Sequence, residues 1–191
     1  SHEWPQILLM EDETSVAQGL QMVLSEEGYA VDLVTTGQSA LDIIYTKGFD
    51  ILVADLKLPD LDGMEVIKKV KQGSPDTGVI VITGYSTVSS AVEAMKLGVC
   101  DYLPKPFDPT LLHARLNASL AAKRLHDQKA EYFENVEKLT DAAAAVETET
   151  FDPESLQDVA ARSDALGQLA RVFQGAVNEI STRHQRLQHQ V

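Results

Sequence analysis

Three carboxylates, one lysine and one threonine stand where they could do chemistry together. Glu11 and Asp12 directly follow the apolar run Gln6 to Met10, and Asp55 follows Asp50 to Ala54. Thr83 follows Gly78 to Ile82, and Lys105 comes two residues after Asp101 to Leu103. One carboxylate in a loop is ordinarily just solvated, but several on one rim repel each other unless a cation sits among them. Hard oxygen donors with room for water and a phosphoryl group suit Mg²⁺, so Glu11, Asp12 and Asp55 form a candidate magnesium site. A carboxylate can also attack phosphorus to give an acyl phosphate, and Asp55 is placed to be that nucleophile. A lysine ammonium adds a point charge beside phosphoryl oxygens, and a threonine hydroxyl can move to bond a new phosphate, roles that Lys105 and Thr83 fit.

The elements that must bring these groups together are short aliphatic runs alternating with amphipathic stretches, the signature of a parallel α/β sheet. Five strands are predicted: Gln6 to Met10, Ala30 to Val34, Asp50 to Ala54, Gly78 to Ile82 and Asp101 to Leu103. Helices are predicted at Ser15 to Glu27, Gly37 to Lys47, Gly63 to Gln72 and Thr87 to Leu97, with another starting near Pro109. Gly28, Gly48, Gly73 and Gly98 stand where each helix must stop, as left-handed caps. In an open α/β sheet the crevice lies at the carboxyl ends of the strands, where all five polar groups fall.

Composition narrows the function classes. The formal charge of −13 repels phosphate backbones, which argues against nucleic-acid binding by these residues and for protein partners. The apolar runs are too short to cross a bilayer, no secretory signal opens the chain, and Ser1-His2 reads as a cloning remnant. A cytoplasmic location and no membrane insertion are expected. The single cysteine, Cys100, can form no internal disulfide and reads as a small buried core residue.

Over residues 5 to 123 the chain resembles the response-regulator receiver family of two-component signalling. The carriers are Ile7-Leu-Leu-Met-Glu-Asp-Glu13, Asp55-Leu-Lys-Leu-Pro-Asp-Leu-Asp-Gly63, Val81-Ile-Thr-Gly84 and Asp101-Tyr-Leu-Pro-Lys-Pro-Phe107. The resemblance implies a doubly wound, flavodoxin-like fold with strand order 2-1-3-4-5. It implies Asp55 as phosphoacceptor and Mg²⁺ held by Glu11, Asp12, Asp55 and the backbone carbonyl of Lys57. It also implies Thr83 as the switch hydroxyl, Tyr102 as the switch aromatic, Gly84 keeping access open, and Lys105 on the phosphate, followed by a cis proline, Pro106. Glu11 stands where aspartate is commoner, which lengthens one ligand arm. The implied partner is a sensor histidine kinase or phosphotransfer protein. Haloacid dehalogenase phosphatases also use a strand-end aspartate, but they need a second aspartate two residues on. Lys57 occupies that place, so no enzyme acting on external esters is expected beyond self-phosphorylation and dephosphorylation.

Beyond Leu111 helix formers dominate. Leu125, Tyr132, Val136, Leu139, Ala143 and Val146 recur at a 4-3 spacing with Lys129 as a polar interruption, and Glu147 to Pro153 breaks the pattern. Leu156, Val159, Ser163, Leu166, Ala170, Phe173, Val177, Ile180, His184, Leu187 and Val191 then hold a heptad, with His184 as a polar break. Two helices with an apolar stripe need a partner, and a homodimer supplies one. Residues 134 to 181 resemble a HAMP signal-relay module, a helix, a connector and a second helix that dimerise as a parallel four-helix bundle. The carriers are Lys138 to Val146, Phe151-Asp-Pro-Glu-Ser-Leu156 and Asp164-Ala-Leu-Gly-Gln-Leu-Ala-Arg-Val-Phe173, with Ala165 departing from the usual glutamate. The expected organisation is a receiver at 1–123, a linker helix at 124–133, the HAMP-like module at 134–181 and a coiled-coil extension at 182–191 that stops before an output domain. The expected function is a response regulator relaying phosphorylation of Asp55 through a dimeric bundle. The alternative is a receiver used as a dimeric scaffold regardless of phosphorylation.

Overall fold

The computed structural model describes residues 4–188. Five buried or half-buried strands form one parallel sheet: β1 (Gln6–Met10), β2 (Ala30–Val34), β3 (Ile51–Asp55), β4 (Gly78–Thr83) and β5 (Asp101–Pro104), in the order β2-β1-β3-β4-β5. The fully buried strands β1 and β3 occupy the interior of that order, as a sheet covered on both faces requires. Helices α1 (Thr14–Glu26), α2 (Gly37–Ile44), α3 (Gly63–Gly73), α4 (Val88–Lys96) and the start of α5 (Pro109–Glu147) supply the cover.

Alternation along the strands divides the core in two. Leu8, Met10, Leu52, Ala54, Val79 and Val81 point to one face, where Ala40, Ile44, Val66, Ile67, Val70 and Ala94 of α2, α3 and α4 meet them. Ile7, Leu9, Val53, Ile80 and Ile82 point to the other, against Leu20 and Leu24 of α1 and Leu112, Leu116 and Leu120 of α5. The strand order implied by the family resemblance is the one observed.

Of the four glycines expected as left-handed caps, only Gly28 and Gly98 have positive φ, 90° and 84°. Helix α2 stops at Ile44, well before Gly48, and Gly73 lies inside the last turn of α3. There a Cβ would come within 2.5 Å of the Tyr45 ring, so Gly73 answers to packing rather than to φ. Cys100 is exposed, not buried. It sits just before β5, an edge strand, and the neighbouring Val99 takes the inward place.

The division between two compact units falls between Arg124 and Leu125, inside α5. In the second unit α5 continues to Glu147, a 3-10 turn covers Pro153–Leu156, and α6 (Gln157–Ala160) precedes α7 (Ala165–Gln188). The heptad from Leu156 is therefore not one helix: the chain breaks between α6 and α7, where Asp164 Oδ1 accepts from the Gly167 amide. A Cβ on Gly167 would collide with the Arg162 carbonyl, so only glycine lets the two backbones approach. Leu156, Val159, Leu166 and Ala170 are buried as the spacing predicts, and Phe173 packs edge-on against Phe151. Ser163 and Ile180 are exposed instead. On α5 the buried alanine is Ala142, not Ala143, and Asn135 is buried beside it in the pattern. Arg162 pairs with Glu131 near the beginning of this unit, whereas Val146 shares a groove with Val177 and Ile180 further on. The two helices thus run in the same direction. Val191 lies outside the described residues. Among the described residues no helix is long and apolar enough to cross a membrane.

Candidate functional site

The carboxyl ends of β1, β3, β4 and β5 converge on one rim, and the parallel register explains why. Met10 pairs with Ala54, Asp55 with Ile82, and Thr83 with Pro104, so the next residue on each strand reaches the same edge. Glu11 is fully buried, Asp55 is 5% exposed and Thr83 is fully buried, whereas Asp12 is open to solvent.

Lys105 organises the acidic groups. Its ammonium donates to Glu11 Oε2 at 2.5 Å and to Asp55 Oδ2 at 3.0 Å, while its amide donates to the Thr83 carbonyl at 2.7 Å, fixing β5 to β4 at the rim. The Lys105–Pro106 peptide is cis, as the resemblance implies. Burial works against the Lys105 charge, yet its bonds to Glu11 and Asp55 outweigh that and raise its pKa. Burial raises the Glu11 pKa despite the opposing hydrogen bond from Lys105. Buried carboxylates held by one cation are electrostatically poised for a second cation.

Glu11, Asp12 and Asp55 each offer an oxygen, and the three lie within 4.8 Å of one another. That donor set, all hard oxygens with one side open to solvent through Asp12, fits a small divalent cation. Lys57 presents its amide to Asp55 Oδ1 at 3.1 Å, and an isolated bridge joins it to Asp62. The loop between them is closed by the Gly63 amide on the Leu56 carbonyl at 3.0 Å. A Cβ on Gly63 would sit 2.5 Å from Leu56 Cα, so this glycine is what allows α3 to start so close behind Asp55. Asp62 caps α3, and Asp60 accepts from the Gly37 and Gln38 amides at the start of α2.

Thr83 Oγ1 accepts from the Tyr85 amide at 3.1 Å. A side chain at Gly84 would meet nothing within 4 Å, so the position opens onto solvent beside the rim. Tyr102 is half-buried, on the sheet face it shares with Val81, and its phenol oxygen lies 2.8 Å from Ser90 Oγ. Sequence reasoning passes over two residues here. Tyr85 receives a hydrogen bond from Lys57 Nζ at 2.7 Å, with the ammonium 4.1 Å from its ring centroid. Ser90 belongs to the cap of α4. Only their position two residues after Thr83 and three after Thr87 in the sequence could have drawn notice.

Residues 7–117 match the family described as the response regulator receiver domain. Transcriptional regulatory protein ZraR of Klebsiella oxytoca is 39% identical over 127 residues, which are 66% of this chain and 29% of that protein. Response regulator MprA of Mycobacterium ulcerans (strain Agy99) is 38% identical over 124 residues, 65% of this chain and 53% of that protein. The chain thus spans about half the length of one relative and under a third of the other. A crystal structure of a CheY-like response regulator receiver domain protein from Methanospirillum hungatei JF-1 superposes with a TM-score of 0.64 at 27% identity, covering 65% of this chain and 99% of that one.

Proposed function

This chain belongs to the response regulator receiver domain family, and from that premise we propose that Asp55 accepts a phosphoryl group from a sensor histidine kinase or phosphotransfer protein. The observation that carries the reading is Lys105, one ammonium held at once by buried Glu11 and buried Asp55 on a residue whose amide bonds the Thr83 carbonyl. Glu11, Asp12, Asp55 and the Lys57 carbonyl are the groups that would hold Mg²⁺, which when bound neutralises charge on the transferring oxygens. Asp55 attacks phosphorus with one carboxylate oxygen, and the donor's nitrogen–phosphorus or oxygen–phosphorus bond breaks. Lys105 stays paired with the phosphoryl oxygens as they arrive, and Thr83 exchanges its bond from the Tyr85 amide for one to the phosphoryl group. Tyr102 follows Thr83 along the same sheet face. Gly84 leaves that approach unobstructed.

The reading extends to the helical unit as a HAMP-like relay that dimerises through its helices, in which phosphorylation biases two packings of the bundle. Its support is the uninterrupted α5 from Pro109 to Glu147, the parallel run of α5 beside α7, and the glycine contact at Gly167. Ala165 leaves the usual glutamate contact absent, and Arg162 offers a substitute by pairing with both Asp164 and Glu131. A cytoplasmic protein with protein partners and a downstream output domain completes the reading. The relatives' names describe transcriptional regulation, but the charge of −13 on this chain disfavours DNA contact by its own residues. Turnover of external phosphate esters is not part of the proposal, because Lys57 supplies no general acid.

Intact mass after incubation with acetyl phosphate and Mg²⁺ tests the phosphoacceptor. One phosphoryl addition is expected, absent in Asp55→Asn and absent without Mg²⁺. No addition to the folded chain under any condition overturns the reading in favour of a phosphorylation-independent scaffold.

A further inference from the structure

The first turn of α2 is held from two places. The Ala40 amide begins the helical ladder on the Thr36 carbonyl at 3.2 Å. The amides just ahead of it have no partner within the helix. Ser39 donates to the Thr36 hydroxyl at 3.1 Å, a cap supplied by the helix's own flank. Gly37 and Gln38 donate instead to Asp60, one to each carboxylate oxygen and both at 2.9 Å, although Asp60 lies 23 and 22 residues further along the chain.

Asp60 belongs to the loop that leaves Asp55. At the start of that loop the Lys57 amide donates to Asp55 Oδ1 at 3.1 Å, and at its end Asp62 bridges back to Lys57 and caps α3. The middle of the loop is fastened to α2 by Asp60. Gly37 is part of the same junction: a Cβ there would meet Leu61 Cβ at 3.0 Å and Val66 Cγ2 at 2.8 Å, so loop and helix approach as closely as a glycine allows. Asp60 is itself exposed, so burial does not hold its side chain in place. Its two amide bonds do, at the positive end of the α2 dipole.

We propose that Asp60 is a positioning residue for the metal: its grip on α2 fixes the loop that supplies the Lys57 carbonyl, and so couples Mg²⁺ binding to the first turn of α2. The inference rests on the reading that Glu11, Asp12, Asp55 and the Lys57 carbonyl hold Mg²⁺. Such coupling is reciprocal. If the closed tie tightens Mg²⁺ binding by some factor, bound Mg²⁺ makes the tie open less often by the same factor. The Gly37 and Gln38 amides report that second effect without any phosphoryl transfer. A side chain that merely caps α2 has neither effect.

NMR on the full ¹⁵N-labelled chain reads both: Mg²⁺ affinity from the shifts of the Asp12 and Asp55 amides, and hydrogen exchange at Gly37 and Gln38 with and without Mg²⁺. Asp60→Ala is expected to weaken Mg²⁺ binding about fivefold, the low end of coupling between two sites. Saturating Mg²⁺ is expected to slow wild-type exchange at Gly37 and Gln38 by a similar factor. Asp60→Asn keeps one acceptor oxygen in place of two and is expected to fall between. Thr36→Ala removes the other cap of the same helix without touching the loop, so it is expected to lower stability in urea and leave Mg²⁺ affinity at the wild-type value. Three results would each overturn the proposal: wild-type Mg²⁺ affinity in Asp60→Ala, equal weakening of the metal by Thr36→Ala, or exchange at Gly37 and Gln38 that ignores Mg²⁺. If Mg²⁺ moves neither the Asp12 nor the Asp55 amide of the wild type, the metal reading itself fails and the inference goes with it.

Discussion

The two units of this chain bury their residues in different ways. The receiver closes two cores, one on each face of its sheet, and can afford to place Glu11, Asp55 and Thr83 inside. Among the described residues the helical unit has a single small core around Leu156, Val159, Leu166 and Ala170, and it leaves Phe133 69%, Val172 63% and Ile180 63% exposed. Its charged groups are at the surface, as in the Arg162–Asp164–Glu131 cluster. A sheet covered on both faces finishes itself, whereas two parallel helices cover only one side of each other and leave the rest of their apolar surface exposed.

The contrast can be broken first at Lys105. Lys105→Met removes the cation from two buried carboxylates and is expected to destabilise the receiver by about 3–5 kcal/mol at neutral pH without Mg²⁺, measured by urea unfolding. The pH dependence has a definite sign. Burial raises the Glu11 pKa, so the folded protein keeps that proton to higher pH than the unfolded chain does. The penalty of the variant is therefore smallest in acid and grows as pH rises through the raised Glu11 value. A flat profile would place the charge cost elsewhere.

In the helical unit, Leu156→Ala removes a fully buried side chain from a core with few others and is expected to cost about 2–4 kcal/mol. Circular dichroism should show loss of helix with the receiver's own transition retained. Gly167→Ala places a methyl group against the Arg162 carbonyl and should cost about 1–3 kcal/mol, seen as a lower melting temperature of the same unit. The smallest effect is expected at Arg162→Ala, because the pairs are exposed and screened by solvent. Arg162 and the Gly167 amide hold the Asp164 carboxyl down at about 2. That contribution is full above the ordinary aspartate value and is lost as pH falls toward about 2, so wild type and variant should converge there.

The receiver was legible because its periodicities, motif order and strand-end positions all point to one arrangement. Gln6–Met10 and Ala30–Val34 fall as strands with the predicted bounds, and Glu11, Asp55, Thr83 and Lys105 meet on one rim. What the sequence hid depends on approach distances it does not encode. Gly73 faces a tyrosine ring rather than a left-handed turn, and Cys100 falls at the edge of the sheet. Ser90 reads as an ordinary serine near a helix start until Tyr102 arrives from a strand twelve residues on. In the helical unit the heptad located Leu166, Ala170 and Phe173, but a spacing pattern cannot report the break that Asp164 and Gly167 impose. It also cannot choose between Ala142 and Ala143, two alanines of equal hydrophobicity one step apart around the helix.

The central claim is that phosphorylation of Asp55 changes the packing of a dimeric helical unit. Disulfide crosslinking between copies with cysteines at Leu139 and Phe173, after Cys100→Ser removes the exposed native thiol, tests it with and without Mg²⁺ and beryllofluoride. A change in crosslinking efficiency on loading, absent in the Asp55→Asn background, is the predicted result. Equal crosslinking in both states, with beryllofluoride demonstrably bound, would contradict the relay and leave the receiver and its helices as separate devices on one chain.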